Sequence, residues 1–133
     1  MAESIIFVFL DGFGLGSSGS SNPLFTTGIP SLESLIGSKL VAGYEIFNTG
    51  ATFKGIDASL GVEGLPQSAT GQTALFTGKN APAILGYHLP AFPNQLLIDL
   101  IRQNNIIKRT IDCGLKATFA NAYSVNYFER AAL

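Results

Sequence analysis

The stretch Ile5-Ile6-Phe7-Val8-Phe9-Leu10-Asp11-Gly12 decides the first reading of the chain. Residues 5–10 are six consecutive β-prone apolar residues with no alternation. Such a run reads as a strand buried on both faces, the pattern of a parallel sheet. Asp11 follows it directly. Ligands gather beyond the carboxyl ends of strands in open parallel sheets, so a carboxylate there could hold a hard cation. It could equally cap its own turn, because Asp-Gly is common turn chemistry. Gly12, Gly14 and Gly16 keep the following loop narrow enough for a ligand to approach the backbone.

Working outward, residues 11–28 are too rich in Gly and Ser for a helix and read as a loop. Residues 14–19 of that loop satisfy G-x-G-x-x-G. The dinucleotide fingerprint needs its third glycine inside a helix, and here the chain runs into Ser20-Ser21-Asn22-Pro23 instead. The first helix is predicted over residues 30–36, with Pro30 at its start and Gly37 at its end. Residues 40–42 and 51–56 are weaker strand candidates, and 61–66 form a loop. A helix is predicted over 68–76 with Ser68 at or near its N-cap. Residues 82–92 read as irregular. Residues 93–104 carry the clearest helix, with Leu96, Leu97, Leu100 and Ile101 in one apolar stripe and Arg102 near its end. Residues 117–120 make a second buried strand candidate. This alternation predicts an α/β fold: three layers, a mostly parallel sheet, and helices on both faces.

Composition narrows the function classes. Among 133 residues, 47% are hydrophobic and only 13% charged, against about 25% charged in an ordinary domain. The mean hydropathy is +0.33. So little charge implies that part of the surface is meant to be covered. The net charge is −1 and the Lys and Arg residues are scattered, so nothing favours a nucleic acid polymer. The apolar run 5–10 falls far short of the ~20 residues a spanning helix needs, so no membrane partner is expected. Cys113 is the only cysteine and no Asn-x-Ser/Thr acceptor occurs, so the expected setting is reducing and cytoplasmic.

The second informative stretch is Gly64-Leu65-Pro66-Gln67-Ser68-Ala69-Thr70-Gly71-Gln72-Thr73-Ala74-Leu75-Phe76-Thr77-Gly78-Lys79. A serine at a helix start meets unpaired N–H groups and the positive end of the helix dipole, which favour an alkoxide or a bound phosphate. Serine at such a position is also an ordinary N-cap. It needs a base or a metal to attack at neutral pH. His88 is the only histidine, and no general base is evident beside Ser68, so a metal held partly by Asp11 is the better activator. Gly78-Lys79 is followed by Asn80 and does not end a Walker A loop, and Ser68 lacks the flanking glycines of G-x-S-x-G.

Together these motifs resemble the alkaline phosphatase superfamily, which includes cofactor-independent phosphoglycerate mutases, phosphopentomutases and phosphodiesterases. Its members open with an apolar strand ending in Asp-Gly, as residues 7–12 do. A Pro-x-Leu-x-x-Leu helix follows, matched by Pro30-Ser31-Leu32-Glu33-Ser34-Leu35. A Ser or Thr nucleophile then precedes a Thr-Gly pair, as Ser68 precedes Thr77-Gly78, and Thr73-Ala74 also fits the pattern. Lys79 after the helix is similar to the mutase branch.

The resemblance implies metal-dependent phosphoryl transfer through a phosphoserine at Ser68, on a phosphorylated small molecule. It makes Asp11 and Ser68 ligands of a centre of two divalent ions, Zn, Mn or Mg. His88 and Lys79 become substrate-facing candidates, with Asp57 and Thr70 weaker ones. The family takes most of its metal ligands from a later part of a longer chain, and those segments are absent here. The expectation is therefore that residues 1–133 are the incomplete N-terminal segment of a metalloenzyme catalytic domain, inactive alone and completed by a missing C-terminal half or a second copy. The alternative is a non-catalytic domain that keeps the fold and uses the helix start to hold an anion.

Overall fold

The computed structural model describes residues 4–47 and 50–126. The rest of the expected catalytic segment, 1–3, 48–49 and 127–133, lies outside the described residues. The chain divides into two units, residues 1–57 and 58–133.

The first unit holds α1 (Pro23–Thr26), α2 (Pro30–Ile36), β1 (Glu45–Phe47) and β2 (Thr52–Lys54). Asn22 opens α1, its side-chain oxygen accepting from Leu24 N at 3.0 Å, and its amide nitrogen ties back to Ser17 O at 2.9 Å. Pro30 starts α2, and Gly37 ends it in the left-handed conformation at φ 75°. That region suits glycine, which lacks a Cβ to clash. Ile36, Leu40 and Val41 are buried, and Ala42 N donates to Gly16 O at 2.9 Å, pinning the glycine-rich loop. The strands β1 and β2 pair antiparallel with Glu45 opposite Lys54, and these two side chains form an ion pair at 3.3 Å.

The second unit is helical: α3 (Ser68–Thr77), α4 (Ala81–Leu85), α5 (Gln95–Gln103) and α6 (Ile106–Asp112). Three of these helices begin the same way. Asn80, Asn94 and Asn105 each accept from the N–H three residues on, at Ala83, Leu97 and Lys108. Such caps satisfy first-turn donors that have no partner within the helix. α3 packs against α4, α5 and α6. The core is Ala69, Ala81 and Leu97, with Ala74, Leu85, Leu89 and Leu100 partly buried around it. Phe76 meets Phe119 edge to face, with ring centroids 5.7 Å apart.

The three-layer α/β expectation is overturned. Among the described residues the only sheet is the two-stranded antiparallel pair of β1 and β2. Residues 5–10 form no strand, and their exposure runs from 41% at Phe9 to 93% at Ile5. The physical reason is that strand character in sequence is a promise of neighbours. A strand's N–H and C=O groups are satisfied by adjacent strands, and among the described residues none lies beside this run. Residues 117–120 likewise are exposed and not a strand. In the 40–42 segment, Leu40 and Val41 are buried without pairing, so its apolar character reports burial alone.

Candidate functional site

Ser68 is the first residue of α3, one step inside the N-cap. The N-cap is Gln67, extended at φ −127° and ψ 153°, and its side chain makes no capping hydrogen bond. Ser68 is half-buried. The turn beneath it is held from outside the helix. Ala69 N donates to Leu89 O at 3.2 Å, and Leu89 N donates to Thr70 Oγ1 at 3.3 Å. Thr70 is fully buried, and its hydroxyl lies 3.3 Å from Gln67 O. One turn on, Thr73 and Thr77 are buried and donate to Ala69 O and Thr73 O, each at 2.7 Å. These threonines therefore satisfy themselves within the helix.

The expected site residues fall in different places. Ser68 and His88 are brought to one end of α3: the residue after His88 bonds to Ala69 and Thr70. His88 is half-buried, with Nε2 3.2 Å from Val62 O. Lys79 is exposed just beyond Gly78, at the other end of the helix. The ten residues of α3 separate the two ends by about 13 Å at 1.5 Å per residue. Asp11 is exposed, in a turn with Gly12 at φ 71°. It follows a segment that forms no strand, and it belongs to the first unit while Ser68 belongs to the second. Asp57 ends the first unit. Among the described residues no group of three or more His, Cys, Asp and Glu side chains gathers.

A cleft among the helices of the second unit does not coincide with Ser68. It measures about 320 Å³ and is lined by Phe76, Ile101, Asn105, Ile107 and Phe119. Phe76 stands near the far end of α3, so this cleft is a gap between apolar helix faces rather than a site around the serine.

The sequence reading passed over two residues that hold the segments around α3: Asn80 beyond its far end and Leu89 at the Ser68 end. Asn80 caps α4 and also donates through Nδ2 to Leu60 O at 2.9 Å. Its signal was present: an Asn followed by Pro82 at a helix start is a standard opening. Leu89 acts through its backbone, which leaves no mark in side-chain chemistry. Among the described residues, no helix is long and apolar enough to cross a membrane. Comparison with family models, curated proteins and solved structures finds no match.

Proposed function

We propose that this chain supplies the serine nucleophile of a metal-dependent phosphoryl-transfer reaction on a phosphorylated small molecule, with Ser68 carrying the phosphoryl group. The observation that supports it is the place of Ser68. It opens a ten-residue helix whose N-cap side chain makes no capping bond, and the start of a helix carries the positive end of its dipole, which favours a bound phosphate. In the step, Ser68 Oγ attacks phosphorus and the bond from phosphorus to the departing oxygen breaks. The proton lost by Oγ leaves with that oxygen through solvent.

The donors described on this chain do not by themselves make a two-metal centre. In this reading Asp11 offers one carboxylate, and the remaining ligands come from a further segment or a second chain. The exposed apolar run at residues 5–10 supports a covering partner of that kind. The reading sets the protein in the cytoplasm, supported by the exposed free thiol of Cys113.

The test is to isolate the protein with whatever accompanies it in its own cells and incubate it with radiolabelled acetyl phosphate and Mn²⁺ or Zn²⁺. Label on the Ser68 peptide, absent in Ser68→Ala, is the expected result. The 133-residue chain by itself should remain unlabelled. Equal labelling of wild type and Ser68→Ala would remove Ser68 from the role. Binding of inorganic phosphate without label, seen as shifted amide signals at Ser68 and Ala69, would establish the anion-binding alternative instead.

A further inference from the structure

The segment after α4 turns back to the start of α3 and holds it on two sides. Leu89 fixes the first turn through both of its backbone groups, to Ala69 N and Thr70 Oγ1. One residue earlier, His88 Nε2 lies 3.2 Å from Val62 O. A carbonyl only accepts, so Nε2 is the protonated ring nitrogen and donates. The ring also flanks Gly64, where a Cβ would come within 3.6 Å of its Cδ2. Asn80 Nδ2 holds the same loop further back, at Leu60 O.

The loop so held is the approach to Ser68, and it needs holding. Leu60, Gly61 and Gly64 all have positive φ, at 53°, 76° and 112°. Residues 63–66 are exposed, so they have little packing to fix them. Backbone of this kind is drawn from the low-stability end of a fold and opens readily without external ties.

We propose that His88 is a positioning residue for Ser68. Its Nε2–H fixes the Val62 carbonyl, which sets the path of residues 62–67 into α3 and thereby the direction in which Ser68 Oγ points. His88 acts through the loop and does not touch the substrate. The role rests on the phosphoryl-transfer reading of Ser68.

The experiment compares wild type, His88→Ala and His88→Gln, each isolated with its cellular companions. Hydrogen exchange is followed by mass spectrometry, and Ser68 labelling by acetyl phosphate with Mn²⁺. Glutamine places an amide N–H near the position of Nε2. In His88→Ala, exchange across residues 62–69 should quicken roughly 2- to 12-fold, the range a single lost hydrogen bond gives, with α5 unchanged and Ser68 labelling slowed. His88→Gln should recover most of both. If His88→Ala loosens α5 as well, the Gln variant decides. Exchange at 62–69 unaltered by His88→Ala, or no recovery in His88→Gln, overturns the proposal. A labelled wild type with undiminished labelling in His88→Ala sinks the positioning role alone. An unlabelled wild type sinks the phosphoryl-transfer reading and the role with it.

Discussion

Leu97→Ala should be among the most damaging single changes in the helical unit. Leu97 is 0% exposed, and the other buried members of its cluster are Ala69 and Ala81. It is therefore the one large side chain at the centre of that core. The substitution removes three carbon atoms beside Ala69 and Ala81, with Ala74, Leu85, Leu89 and Leu100 partly buried around them. The alanines have no longer side chain to swing into the space, so the cavity closes only as far as the partly buried leucines shift. Leu→Ala changes at such sites cost about 3–5 kcal/mol, and a whole domain is stable by only about 5–15 kcal/mol. With a urea dependence of about 1.5 kcal/mol per molar for a small unit, a loss of 3 kcal/mol lowers the midpoint by about 2 M. Far-UV circular dichroism through a urea titration reads this directly. Because α5 packs on α3, amide exchange at Ala69 and Thr70 should quicken as well. A midpoint lowered by less than about 0.5 M would show that the site collapses around the smaller side chain, and that the buried cluster is not the keystone its exposure suggests.

Gly71→Ala should stabilise the same unit by about 0.5–1 kcal/mol, the usual gain of alanine over glycine inside a helix; a Cβ there meets nothing within 4 Å. A lowered urea midpoint would mean that something other than solvent fills that space. Gly28→Ala should act in the opposite direction, by about 1–2 kcal/mol for an L-residue forced into left-handed backbone. Gly28 has φ +74°, and a Cβ there would come within 3.0 Å of Lys39 Nζ and closer still to Glu33 Oε1. Thermal unfolding of the variant at an unaltered temperature would refute this.

What the sequence made legible was local. Pro30 and Gly37 bracket α2 as expected, and the predicted helix over 68–76 forms as Ser68–Thr77. Helix boundaries are written in neighbouring residues, because caps and breakers act within a turn. The stripe predicted for α5 is right in phase, with Leu97 buried, Leu100 and Ile101 half-buried, and Leu96 left 44% exposed. The Asn caps of α1, α4 and α6 were equally local and were missed; these helices are four, five and seven residues long, and neither α1 nor α6 has the Pro start and Gly stop together that marked the seven-residue α2. So short an apolar pattern shows no clear period. The run at residues 5–10 failed for the opposite reason. Its composition specifies burial on two faces, but a strand exists only through partners distant in sequence, and composition does not name them.

The same division separates the two expected site residues. Ser68 owes its place to local chemistry: a loop with Pro66, an extended Gln67, and a helix whose small residues pack against Leu97. Its role can be argued from the helix that carries it. Asp11 was assigned as a ligand through the family resemblance, in which Asp-Gly ends a buried strand of a parallel sheet, and that sheet does not form among the described residues. Its claim now rests on the Asp-Gly motif and on a second set of ligands brought by another segment or chain. Asp11→Asn is accordingly informative only where those ligands are present. In the protein isolated with its companions, the neutral amide should weaken the hold on a hard cation, and Ser68 labelling should recover at higher Mn²⁺. In the 133-residue chain alone the same substitution should change nothing. Labelling in the accompanied protein that is indifferent to Asp11→Asn at every Mn²⁺ concentration would confine the site to the helical unit and leave Asp11 as a turn residue.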